Sequence, residues 1–132
     1  VADFLKELKR FGIPAAVVTS SDDVKMSYLF AAHPEFKDYF AAFVTGSQVK
    51  KSKPDPEGYL TGAQAIGVAP ENCFVFEDSI QGLQAGLSSG AAVIGLATTN
   101  PIEKVSPLCH KVIRSFEDFT VDEMLLVQRC DK

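Results

Sequence analysis

The stretch Cys73-Phe74-Val75-Phe76-Glu77-Asp78-Ser79 is an apolar run that ends abruptly in two acids, and a glycine-spaced segment follows it. The run is too short for a helix and is rich in Phe and Val, so it reads as a buried strand of a parallel sheet. In open α/β sheets the ligand crevice lies outside the carboxyl ends of the strands, and Glu77 and Asp78 stand where this strand ends. Adjacent carboxylates repel each other and lose hydration in such a place, so a compensating partner is expected. A hard divalent cation such as Mg²⁺ would serve. The other reading is that Asp78 or Ser79 caps the helix that follows.

Downstream, Gly82, Gly86 and Gly90 recur every fourth residue and line one face of a helix over residues 79–89. Glycine costs a helix about 1 kcal/mol relative to alanine, so the stripe predicts close approach of helix to sheet. Gln81, Gln84, Ser88 and Ser89 around it exclude a membrane dimerisation stripe. Residues 91–97 read as another buried strand, residues 98–101 as a loop, residues 111–113 as a short edge strand, and residues 121–128 as an amphipathic closing helix. Cys73 is expected to fill the strand core, and Cys109 and His110 to be packing residues.

Upstream, Phe4, Leu5, Leu8 and Phe11 recur at helical spacing before Gly12, which supplies a stop. Residues 15–18 form a short buried strand ending at Thr19-Ser20-Ser21-Asp22. A hydroxyl cluster at a strand-to-helix turn is both a capping signal and a phosphate cradle, because the first N–H groups of a helix have no intrahelical partner. The next helix runs to about Ala32 and is ended by His33-Pro34, with His33 a surface residue. Residues 40–45 read as a strand. Lys50, Lys51 and Lys53 follow; Pro54 restricts Lys53, and Asp55-Pro56 predicts a helix N-cap, which holds Lys53 just outside a rigid helix start over residues 56–66. Strands and helices alternate throughout, which predicts an α/β fold with a parallel sheet and helices on both faces.

The composition is that of one soluble domain: 132 residues, 46% hydrophobic and 23% charged. A net charge of −4 argues against nucleic-acid or anionic-membrane partners. No apolar stretch approaches the roughly 20 residues of a membrane span. Cys73, Cys109 and Cys130 are odd in number and lack zinc-ligand spacing, so they read as free thiols of a cytoplasmic protein.

Three turns stand out together: Val-Thr19-Ser20-Ser after a strand, Ser-Lys53-Pro-Asp-Pro before a helix, and Phe-Glu77-Asp78-Ser with Gly82 and Gly86 behind it. In this order they resemble the second, third and fourth motifs of the haloacid dehalogenase superfamily, in its phosphatase and β-phosphoglucomutase-like branch. The resemblance covers nearly the whole chain. It implies a Rossmann-like core and a Mg²⁺-dependent phosphohydrolase acting on a small phosphorylated metabolite such as a sugar phosphate. Thr19 and the Ser20 N–H would then hold the phosphoryl group, Lys53 would bridge it to the nucleophile, and Asp78 with Glu77 would bind Mg²⁺.

The family attacks phosphate with an aspartate of an Asp-x-Asp motif on the first strand, and no Asp-x-Asp occurs here. The resemblance therefore implies that residues 1–132 are part of a core domain whose nucleophile strand and cap domain are absent. In the family's strand order that strand lies between the strand containing Val17 and the strand containing Val75, so two apolar edges are expected there. Two alternatives accompany this reading: a phosphosugar mutase with the same chemistry, and a catalytically inactive phosphate-binding module.

Overall fold

A computed structural model describes residues 2–19, 23–117 and 119–127. The helices are α1 (Ala2–Arg10), α2 (Asp23–Ala32), α3 (Phe36–Tyr39), α4 (Glu57–Ile66), α5 (Ile80–Ser89), α6 (Ile102–Val105) and α7 (Val121–Leu125). The strands are β1 (Ala16–Val18), β2 (Ala42–Val44), β3 (Phe74–Glu77), β4 (Ala92–Leu96) and β5 (Lys111–Ile113). The alternation expected from the sequence is present, with α3 and α6 as additions. Each is a single turn, too short to carry a periodic apolar signal. The closing helix ends at Leu125, and Gln128 lies outside the described residues.

All strand pairs are parallel, and α5 joins β3 to β4 as a crossover. Side-chain alternation divides the β3-β4-β5 sheet between two cores. Val75 and Val93 pack with Leu83 of α5 and Val105 of α6 on one face. Ile94, Phe74 and Phe76 meet Phe4 and Leu8 of α1 and Val121 of α7 on the other. Helix, sheet and helix therefore form three layers. Leu83, Val93, Ile94, Val105 and Val121 are fully buried, and each such side chain contributes about 1.5–3 kcal/mol of transfer free energy. Phe4 is a hub of the second core, with its ring 5.5 Å from Phe76, 5.2 Å from Phe116 and 5.6 Å from Phe119. The Glu7 carboxylate accepts the Val121 N–H at 2.8 Å and so ties α1 to the start of α7.

The sheet is in two parts. β1 pairs with β2, and β3 pairs with β4, but β1 and β3 are not hydrogen-bonded to each other. Between them runs a cavity of about 530 Å³, walled by residues of both strands, among them Val17, Val18, Val75 and Phe76, and floored by Leu5 and Leu8. This apolar slot matches the expectation of two inner strand edges at this place.

The glycine stripe does not have a single origin. A Cβ on Gly86 would stand 3.0 Å from a Val93 methyl and 3.1 Å from a Val75 methyl, which is the close helix-to-sheet contact expected. Gly90 is not part of that contact: it is the C-cap of α5, with φ +88 and open space around it, a backbone conformation that glycine adopts without penalty. Cys73 directly precedes β3 and, two residues before Val75, shares its face: it packs half-buried at the edge of that core, with its thiol beside the Val68 and Ala69 carbonyls. Among the described residues no helix is long and apolar enough to cross a membrane.

Candidate functional site

Helix α4 brings two strand ends together. A Cβ on Gly58 or Gly62 would lie 2.9 Å from a Val18 methyl, so the absence of both side chains lets α4 settle against the end of β1. The next residue after Gly58, Tyr59, points to the other wall of the slot, where its hydroxyl donates to Oε2 of Glu77 at the end of β3. The carboxyl ends of β1 and β3 thus lie on the same side, beside the first turn of α4. Thr19 directly follows β1, and its N–H continues the ladder by donating to the Val44 carbonyl at 2.9 Å. Ser20 lies outside the described residues.

Lys53 is delivered to this place by a loop tied to α4. The Lys50 N–H donates to the Glu57 carboxylate at 2.6 Å, the Asp55 N–H to the Ser52 carbonyl at 3.0 Å, and the Glu57 N–H to Asp55 Oδ1 at 2.9 Å. The expected Asp55 cap is therefore made by its side chain, and the Lys53–Pro54 peptide is cis. Lys50 and Lys51 are exposed, whereas the Lys53 side chain is 22% exposed and its Nζ donates to Glu77 Oε2 at 2.9 Å.

Glu77 is enclosed by donors. Its Oε2 accepts from Lys53 and Tyr59, and its Oε1 from the Asp78 N–H at 3.1 Å, the Ser79 N–H at 3.2 Å and the Ser79 hydroxyl at 3.1 Å. Its side chain is 11% exposed. Burial alone would raise its pKa, but the hydrogen bonds from Tyr59 and Lys53, the Lys53 charge and the Ser79 N–H together bring it down to about 2. Burial and then the Glu77 charge push the Tyr59 phenol far above its ordinary value, so it stays a neutral donor. The carboxylate occupies the space where a side chain at position 82 would begin: a Cβ on Gly82 would meet Glu77 Cδ at 2.0 Å and Oε2 at 2.2 Å. Ser79 is the helix cap, accepting the Gly82 N–H at 3.0 Å.

Asp78 is placed differently. Its Oδ2 accepts from the Thr99 hydroxyl at 3.3 Å and its backbone carbonyl from Asn100 Nδ2 at 3.2 Å. Among the described residues its Oδ1 accepts no hydrogen bond, and no cluster of three or more His, Cys, Asp or Glu side chains is assembled. Mg²⁺ commonly takes one or two carboxylates and completes its octahedron with waters and substrate phosphate. The open Asp78 carboxylate fits that pattern as a direct ligand. Glu77, with both oxygens already engaged, fits it through a bridging water.

The structure thus joins Lys53 to Glu77 and sets Asp78 beside them, with Thr19 at the end of the neighbouring wall. Tyr59, Thr99 and Asn100 were not foreseen. Tyr59 reads in sequence as one more aromatic of an amphipathic helix, and Thr99 and Asn100 as loop. The Gly58/Gly62 spacing is the signal that could have shown which face of α4 meets the sheet. His33 is a surface residue, 3.5 Å from the exposed Glu35 carboxylate. His110 is structural: its Nδ1 accepts the Val93 N–H at 2.9 Å.

The sequence-family model of haloacid dehalogenase-like hydrolases matches residues 1–90. The chain is 37% identical over 122 residues to hexitol phosphatase A of Escherichia coli, covering 89% of this chain and 53% of that protein. It is 42% identical over 77 residues to the fructose-1-phosphate phosphatase YqaB of the same organism, covering 58% of this chain and 40% of that protein. The crystal structure of CbbY from Rhodobacter sphaeroides in complex with phosphate superimposes with a TM-score of 0.83 at 27% identity, over 95% of this chain and 57% of that one. The chain spans about half the length of these relatives.

Proposed function

The chain belongs to the haloacid dehalogenase-like hydrolase family, and on that premise we propose that it supplies the phosphate- and metal-binding side of a Mg²⁺-dependent phosphohydrolase for a small phosphorylated metabolite, foremost a sugar phosphate. The observation that carries the reading is the Lys53 ammonium, held 2.9 Å from Glu77 at the rim of the slot. A fixed cation at the carboxyl end of a parallel strand is what a phosphoryl group needs as negative charge moves onto its oxygens.

In this reading Thr19 Oγ1 and the Ser20 N–H hold phosphoryl oxygens, and Lys53 offsets the charge that develops between phosphoryl group and nucleophile. Asp78 would be a direct ligand of Mg²⁺ and Glu77 would hold it through water. The cation, when bound, would neutralise the phosphate and lower its repulsion of an attacking carboxylate. Glu77 also keeps Lys53 in place, since the pair is fastened at both ends. The sequence contains no Asp-x-Asp. We assign the nucleophile to an aspartate at the end of a strand seated in the slot, outside these residues, with the substrate-selecting cap also outside them. That carboxylate attacks phosphorus, the ester P–O bond breaks as the leaving oxygen takes a proton, and water then hydrolyses the aspartyl phosphate.

The test is an assay of the full-length protein with a panel of phosphosugars, measuring both free phosphate and isomerised sugar phosphate, with and without Mg²⁺. Free phosphate released in a Mg²⁺-dependent manner supports the phosphohydrolase. Isomer without free phosphate would assign the mutase instead, and turnover of neither kind would assign the inactive binding module.

A further inference from the structure

We propose that Tyr59 is a positioning residue for Lys53, clamping its ammonium through a shared carboxylate and through the face of its own ring. The inference rests on the phosphoryl-transfer reading of Lys53 and deepens it. Tyr59 is in contact with both members of the Lys53–Glu77 pair. Its hydroxyl donates to the same Glu77 oxygen that accepts from Lys53 Nζ, and the Lys53 ammonium lies 5.0 Å from the centroid of the Tyr59 ring. The three groups close a triangle. A lysine has four rotatable bonds and a hydrated point charge at its end, so a single ion pair leaves it mobile. A ring beneath the ammonium and a second donor that fixes the accepting oxygen remove most of that freedom.

The setting of Tyr59 also argues against a merely apolar role. A phenol at the rim of an apolar slot could turn its hydroxyl to water. Here the hydroxyl is turned inward onto a carboxylate whose other oxygen is held by three further donors. Gly82 keeps the space for that carboxylate clear, so backbone and side chains agree on one place for Glu77 and hence for Lys53. Phosphoryl transfer tolerates little misplacement of a charge-stabilising group, because its benefit depends on where charge develops in the transition state.

The test uses the full-length protein and two readouts. The first is acylation of lysines by acetic anhydride under native conditions, followed by mass spectrometry, with exposed Lys51 as internal reference. Lys53 should react about tenfold more slowly than Lys51 in the parent protein, and Tyr59→Leu should erase most of that difference, with Tyr59→Phe between them. The second is steady-state hydrolysis of the best phosphosugar. Tyr59→Phe should lower kcat about tenfold and leave KM within about twofold, since the lost donor acts on the chemical step. In a Lys53→Ala background the same change should cost less than about twofold, because the group through which Tyr59 acts is gone.

An equal loss from Tyr59→Phe in both backgrounds would assign a structural role and overturn the proposal. So would Lys53 acylation as fast as that of Lys51 in the parent protein. If Lys53 is protected as described but the parent protein turns over no phosphate ester, the clamp is present without the chemistry. The phosphoryl-transfer reading then fails first and takes the positioning role with it.

Discussion

Gly82→Ala is the substitution that most sharply separates a functional from a packing origin for the glycine stripe. The three heavy atoms nearest to a Cβ at position 82 all belong to Glu77, at 2.0, 2.2 and 2.3 Å, so the glutamate side chain must leave for the alanine to enter. A flexible side chain can rotate away with little strain, and the cost is the network it abandons. Lys53 loses its partner, a half-buried Tyr59 hydroxyl is left without its acceptor, and the carboxylate gives up its other donors for water. Charge-assisted hydrogen bonds contribute about 1.5–3 kcal/mol each and an orphaned donor costs about 1–3 kcal/mol, which rehydration of the freed ends partly offsets. Alanine returns about 1 kcal/mol of helix propensity. The balance is a loss of about 2–4 kcal/mol, or roughly 10 °C in Tm for a chain of this size. Urea unfolding followed by circular dichroism, in the full-length protein, measures it.

The decisive comparison repeats Gly82→Ala in a Glu77→Ala background. With Glu77 removed the helix term remains, so the change should reverse sign and stabilise by about 1 kcal/mol. An equal loss in both backgrounds would show that the glycine is required by backbone crowding and that Glu77 has nothing to do with it.

Further outcomes follow from the same geometry. Glu77 has a folded pKa of about 2 against an ordinary value of 4.5, so folding favours its ionised form. That contribution is complete above the unfolded value and is lost as pH falls from about 4.5 toward 2. Urea midpoints should therefore decline more steeply with acid in the parent than in Glu77→Gln, and parallel profiles would remove the assignment. Asp78→Asn should raise the Mg²⁺ concentration needed for half-maximal turnover by more than tenfold, because it removes the charged ligand with an open oxygen; unchanged metal dependence would place the cation elsewhere. Gly90→Ala, with φ +88 and no atom within reach, should cost about 1 kcal/mol through backbone conformation alone and leave kinetics unchanged; a kinetic effect would mean that the α5 C-cap communicates with the site.

The main elements were legible because the sequence marks them strongly. The run ending at Glu77 announces a parallel strand with a polar carboxyl end, and Ser79 was already a candidate cap at its own position. The partner expected to compensate the acid pair is, for Glu77, a side chain of the same chain. Glu77 finds its compensation in Lys53, 24 residues away, which no local pattern could reveal, and Asp78 keeps an open oxygen. Tyr59 was hidden because helical periodicity says that a residue is inward but not which strand end it meets. The single-turn helices α3 and α6 were hidden because four residues hold no period. Gly82 was visible as part of a stripe, yet the stripe mixes a side-chain niche, a sheet contact and a left-handed cap, which only coordinates separate.

The central claim is that Lys53, paired with Glu77 at the end of β3, stabilises a phosphoryl group during transfer. Single-turnover hydrolysis of a sugar phosphate by full-length protein, with and without Lys53→Ala and at saturating Mg²⁺, tests it most directly. The rate of the chemical step should fall at least a hundredfold, on the order of what loss of one transition-state donor costs, while the urea midpoint shifts only slightly. A chemical step within a fewfold of the parent rate, accompanied by a large loss of stability, would contradict it.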